Sequence, residues 1–217
     1  QSKTFGGTVS TTGTLNTNFT VSGLQGTDAV SGATLTYSGA TAGNLAGATV
    51  GSYTITPSAL TLSSGSTSNY TITYNTGTLT VNTAALTITG ITISNKTYNG
   101  NTTATISGTA AYSGLVNGES FTVTGTPSAS FANANIGTAK AVTVTGYTAP
   151  SANYSITQPT GLTANITAAS LTVTASAQSK SYGSTAPTSG TLNTNFTVSG
   201  LQGTDAASGA TLSYSGT

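Results

Sequence analysis

The sequence predicts an all-β fold: tandem small β-sandwich domains of immunoglobulin-like character, set in an elongated array. Three observations carry that expectation. Apolar residues alternate with Thr and Ser through most of the chain, and no stretch of useful length has helical periodicity. Clusters of Gly, Asn and Ser interrupt the runs about every 8 to 12 residues, the spacing of a sandwich or barrel. A β-grasp-like arrangement is the alternative, and it would need a helix that the pattern does not supply.

Taken in chain order, the alternation places strands at Phe19/Val21, Leu35/Tyr37, Tyr53/Ile55, Leu60/Leu62, Tyr70/Ile72/Tyr74 and Leu79/Val81. A second series follows at Leu86/Ile88, Phe121/Val123, Val142/Val144, Tyr154/Ile156 and Leu162/Ala164/Ile166. The intervening positions are mostly Thr or Ser. Thr is β-branched and fits a pleated surface, so the solvated faces of these strands can be hydroxylic rather than charged.

Internal repetition is the strongest signal. Residues 1–40 align with residues 178–217 at an offset of 177, and 31 of the 40 pairs are identical. A weaker half-repeat lies inside that period. Lys96-Thr97-Tyr98-Asn99-Gly100 matches Lys180-Ser181-Tyr182-Gly183, and Gly114-Leu115-Val116-Asn117-Gly118-Glu119 parallels Gly200-Leu201-Gln202-Gly203-Thr204-Asp205. Asn69-Tyr70-Thr71-Ile72-Thr73 parallels Asn153-Tyr154-Ser155-Ile156-Thr157. The half-repeats divide the chain into 1–83, 84–168 and 169–217. The first division lacks the opening strand that Leu171–Ala177 provides in the third. The junctions at Val81–Leu86 and Ile166–Leu171 contain neither Gly nor Pro, so a semi-rigid rod is expected.

Composition excludes several functions. Charged residues are 3% of the chain, against roughly 25% in ordinary soluble proteins. All can be named: Lys3, Lys96, Lys140, Lys180, Asp28, Glu119 and Asp205. Four scattered lysines make neither a phosphate-binding patch nor a polybasic membrane surface. No nucleic-acid partner and no membrane insertion of this segment are therefore expected. Disorder is not expected either, because Val, Ile and Thr abound beside 10 Tyr and 5 Phe. The absence of Cys removes disulfides and thiolate metal sites.

The same scarcity bears on chemistry. Each 177-residue period holds one Asp and one Glu, and the chain has no His or Cys to activate a Ser or Thr nucleophile. No catalytic, cofactor-binding or metal-ligating residue is assigned, and no cofactor is expected. Calcium wants several carboxylates, so Asp28 and Glu119 are read as pinning the turn after Gly-Leu. An intramolecular Lys–Asn isopeptide bond, with Lys96 or Lys140 and Glu119 as the buried acid, is weighed against plain surface lysines, which are preferred. Sequons at Asn18, Asn69, Asn95, Asn101, Asn153, Asn165 and Asn195 are no more than chance supplies in so Asn- and Thr-rich a chain. Thr71/Thr73, Thr87/Thr89 and Thr143/Thr145 fall where strand alternation already wants polar residues, rather than on an ice-binding face. Tyr70, Tyr98, Tyr154 and Tyr182 recur at matching positions, and a core or corner tyrosine is preferred to a sugar platform.

Residues 86–167 resemble the YDG domain, its motif here reading Tyr98-Asn99-Gly100, with Phe131–Thr138 and Asn153–Pro159 also similar. The unit around Lys180-Ser181-Tyr182-Gly183, Val50–Ile55, Asn69–Ile72 and Gly77–Val81 resembles the MBG domain of YGX type. Asn99 replaces the Asp of the first motif, a change that keeps turn geometry. Phe5-Gly6-Gly7 replaces the Tyr-Gly of the second. The resemblance implies an MBG-like domain over 1–83, a YDG-like domain over 84–168 and the start of the next MBG-like domain over 169–217. It also implies a stalk-like repeat of a bacterial adhesin, extracellular and at the cell surface, with no catalytic residues to carry over. The expected partners are neighbouring repeats of the same chain, with other copies in a fibre as a second possibility. A self-assembling filament subunit and a glycan- or surface-binding module are the alternatives.

Overall fold

The structure is a computed structural model and describes residues 1–215. The chain is all-β, folded into several sheets, with no α-helix among the described residues. Strands β1 (Ser2–Thr4), β2 (Thr12–Gly13), β3 (Ala29–Tyr37), β4 (Gly51–Ser64) and β5 (Gly77–Asn82) form one sheet in the order β1-β5-β4-β3-β2. The long antiparallel β3–β4–β5 meander is its centre, and β1 joins parallel to β5 with Lys3 opposite Val81.

Only Thr83 separates β5 from β6 (Ala84–Ile93). Then come β7 (Lys96–Thr97), β8 (Thr103–Ala104), β9 (Ile106–Ser113), β10 (Thr124–Phe131), β11 (Gly137–Thr148), β12 (Tyr154–Thr157) and β13 (Thr163–Thr167). These make two sheets, β7-β13-β11-β10-β8 and β12-β6-β9. The pairs β12–β6 and β13–β7 are parallel, so the sheets are mixed. Beyond them β14 (Thr172–Ala175) pairs with β16 (Phe196–Ser199), and β15 (Ser189–Gly190) with β17 (Ala210–Thr211). Ser189 faces Thr211 as Thr12 faces Thr34, so the duplicated sequences fold in one register.

Two compact units result. One comprises Gln1–Gly90, Ala110–Thr126 and Gly146–Gln158. The other comprises Ile91–Thr109, Pro127–Thr145 and Pro159 onward. In the first unit Leu35, Tyr37, Ile55 and Leu79 form a core between β3, β4 and β5, with Val9 and Phe19 against it. A second cluster joins Phe5, Ala48 and Val81 to Ala84, Leu86 and Tyr154, so apolar packing runs without a break past Thr83. Full burial of one such Leu side chain stabilises the fold by about 1.5–3 kcal/mol. The second unit buries Ala104, Phe131, Val142, Val144, Ala164, Ile166 and Phe196.

Three segments that alternate like strands are not paired as such. Phe19–Ser22 and Tyr70–Thr76 run without ladder partners apart from the single Leu15–Phe19 bridge. Phe121 and Val123 end where β10 begins at Thr124. Alternation marks a chain able to line a sheet, but a strand also requires a neighbour to receive its N–H and C=O groups.

Candidate functional site

The few charged side chains of this molecule are spent on its loops. Lys3 lies at the start of the turn containing Phe5-Gly6-Gly7 and folds back over it, its Nζ donating to Gly7 O at 2.9 Å and to Leu45 O. Burial lowers its pKa from the ordinary lysine value. Lys180 repeats the clasp, donating to Ser184 O at 3.0 Å. In the middle repeat Lys96 donates to Asn101 O and Oδ1, both at 2.9 Å, and to Thr103 O at 3.1 Å. Asn101 O stands five residues after its lysine and Gly7 O four after Lys3, so each lysine staples the turn that follows it.

The acids do the same for a second loop. Tyr70 donates its hydroxyl to Asp28 Oδ2 at 2.5 Å and receives the Gln25 N–H at 3.1 Å. Tyr154 donates to Glu119 Oε2 at 2.5 Å and receives the Val116 N–H at 3.2 Å. Gln25 and Val116 occupy the same place in the Gly-Leu loop, so one arrangement is built twice. The bond to Asp28 holds the Tyr70 hydroxyl above the usual tyrosine range. Burial first, and then the bond to Glu119, raise that of Tyr154. In the C-terminal copy Asp205 instead accepts from Tyr98 Oη at 3.1 Å, a bond that also raises Tyr98.

The two kinds of loop meet. In the first unit the Phe5 ring stands edge-on to Tyr154 at 5.4 Å and 85°. Gly6, at φ +86°, lies so close to Val116 that a Cβ on it would come within 2.6 Å. Asn117 Nδ2 donates to Ala46 O at 3.2 Å, and Asn153 Oδ1 accepts from Val50 N at 3.0 Å. In the second unit Tyr98-Asn99-Gly100 makes the corresponding approach to Gln202-Gly203-Thr204-Asp205. A Cβ on Gly100 (φ +76°) would stand 2.8 Å from Gly203 Cα. The Tyr/Phe-x-Gly turn of one repeat thus abuts the Gly-Leu loop of the next, and a side chain at that glycine would part them.

The first unit also carries an open groove of about 560 Å³, between Phe19–Leu24 on one side and Tyr70–Gly77 on the other, floored by Leu35, Ile55, Leu60 and Leu62. It contains one acid-linked hydroxyl, that of Tyr70, and no free titratable pair.

The residues singled out in the sequence fall as follows. Asp28, Glu119 and Asp205 are each bonded to a tyrosine, and none converges with another acid. No group of three or more His, Cys, Asp or Glu suited to a metal ion occurs among the described residues. Lys140 Nζ donates to Asn133 Oδ1 at 2.7 Å, and Glu119 is engaged by Tyr154, so neither Lys140 nor Lys96 has a carboxylate among its hydrogen-bond partners. Tyr154 is buried, Tyr70 and Tyr98 are half-buried and Tyr182 is fully exposed, which leaves no common aromatic platform. The link between acid and tyrosine was not read from the sequence, because its members lie 42 and 35 residues apart. Its signal was the recurrence of both partners in each half-repeat.

Comparison with known proteins agrees with this repetition. Residues 1–80 match the family described as the MBG domain (YGX type), and residues 82–161 match the YDG domain. No curated protein and no solved structure matches the chain.

Proposed function

From a chain that carries an MBG domain (YGX type) followed in tandem by a YDG domain, we propose a structural role: a stalk segment of a large bacterial surface adhesin that spaces a distant tip from the cell. Both domain types belong to surface and adhesin-type repeat proteins and are not known as enzyme families. The observation that carries the reading is the reuse of one loop-to-loop contact: Phe5-Gly6 against Val116, and Tyr98-Gly100 against Gly203. Charges fixed as staples are unavailable for acid–base chemistry, which supports a non-catalytic role. An extracellular location at the bacterial surface follows from the domain types. No helix among the described residues is long and apolar enough to cross a membrane.

Solution scattering with negative-stain imaging on proteins of one, two and three whole periods tests the proposal. A contour length that grows by a constant increment per period supports the spacer. A length that does not scale with period number contradicts it.

A further inference from the structure

The open groove has two bare walls, Phe19–Ser22 and Tyr70–Thr73, and other parts of the chain show what belongs between them. In the middle repeat the segments equivalent to these walls are β9 and β12, and β6 lies between them in the sheet order β12-β6-β9. There Tyr154 to Thr157 run parallel to Ala84 to Thr87. In the C-terminal copy β14 pairs antiparallel with β16, Thr172 opposite Ser199 and Ala175 opposite Phe196. Phe196–Ser199 has the same sequence as Phe19–Ser22. Ala169–Ala177 is the counterpart of β6.

A glycine records the difference. A Cβ on Gly114 would lie 2.7 Å from Ala85 O, and one on Gly200 would lie 2.3 Å from Ser170 O, each carbonyl belonging to the inserted strand or its lead-in. Gly23 is the same loop glycine, and a Cβ there meets nothing within 4 Å. Phe196 is 1% exposed beneath β14, whereas Phe19 is only half-buried. The donor is correspondingly under-packed. In β14 and its lead-in, Leu171 and Val173 are 55% and 56% exposed, and the strand has β16 alone as neighbour.

We propose that this groove is a strand-acceptor slot that takes Ala169–Ala177 of a second copy of this chain. Thr172, Val173, Thr174 and Ala175 then face Ser22, Val21, Thr20 and Phe19, while Ala169–Thr172 run parallel to Tyr70–Thr73. The antiparallel ladder that the donor gives up in its own chain is regained against an identical edge. The gain is a second ladder and the burial of Leu171 and Val173. Acceptor and donor are different segments of the chain, so the contact is heterologous and propagates into a linear polymer rather than closing a dimer. The proposal goes beyond the spacer reading: an unfilled slot would leave the length per period unchanged.

The test uses the full chain. A fluorescent peptide of residues 169–177 is titrated in and read by anisotropy, with amide exchange locating it and sedimentation following the mass of the protein alone. The slot predicts saturable one-to-one binding, new protection at residues 19–22 and 70–73, and a mass that rises with concentration until added peptide caps it. Gly23→Ala should weaken binding at least about tenfold, since its backbone strain is the same bound or free and only the strand's carbonyl meets the new methyl. A peptide carrying Val173→Pro, lacking an amide that the two-sided slot would receive, should not bind, and it decides the matter alone if Gly23→Ala does not fold. Absence of peptide binding, protection elsewhere, wild-type affinity in a folded Gly23→Ala protein, or a mass independent of concentration would each overturn the proposal.

Discussion

Tyr154 concentrates the residue-scale logic of this protein. It is 4% exposed, its ring packs against Phe5, and its hydroxyl stands between the Val116 N–H and the Glu119 carboxylate. Tyr154→Phe keeps the ring but leaves that donor and that carboxylate without their partner, which costs about 1–3 kcal/mol. Denaturant unfolding of the variant measures this. The pH dependence has a definite sign. The folded-state pKa of Tyr154 is raised, so its contribution is complete below the unfolded value of about 10 and fades as pH climbs through the folded value. Stability should therefore fall above about pH 10 in the wild type and fall less steeply in Tyr154→Phe. The sequence marked Tyr154 and Glu119 separately, as a recurrent tyrosine and a turn-pinning acid. Their pairing was hidden because hydrogen-bond partners distant in sequence are chosen by topology, which no local pattern encodes.

The strands show where local pattern suffices. Leu35/Tyr37, Leu79/Val81, Leu86/Ile88 and Val142/Val144 alternate in sequence and sit in β3, β5, β6 and β11 with their apolar members buried. Tyr70/Ile72/Tyr74 alternates equally well yet has no ladder, because pairing depends on the neighbour and not on the segment. The parallel pairs β1–β5, β12–β6 and β13–β7 were likewise illegible, since alternation fixes a face and not a direction. The loop glycines give a prediction at this scale. Gly114→Ala and Gly23→Ala share the cost of a positive φ, +105° and +86°, but only the former drives a methyl into a carbonyl, Ala85 O. Thermal unfolding of the full chain should show Gly114→Ala to be the more damaging by about 1–3 kcal/mol. Equal effects would mean that β6 yields at that point.

For the molecule as a whole, repetition and scarcity of charge are two sides of one construction. A chain with 3% charged residues has few ways to fix its turns. The recurrent Lys-to-carbonyl and Tyr-to-acid contacts occupy six of its seven charged side chains, and Lys140 is bonded to Asn133. The period of 177 was plain from identity alone, and the half-repeat from a handful of motifs. What the motifs are for became visible only when the Tyr/Phe-x-Gly turn was found against the Gly-Leu loop. A spacer of this design requires each joint to hold one geometry, because a swivelling joint loses length as the square root of repeat number.

The most direct test of that claim is the label-to-label distance distribution in a protein of two whole periods. The chain has no Cys, so one cysteine at the exposed Thr36 site of β3 in each period carries the only spin labels. A stalk with fixed joints gives a single narrow peak by pulsed electron resonance. A broad, featureless distribution would show that the repeats turn freely about their joints, and the structural-spacer reading would be contradicted.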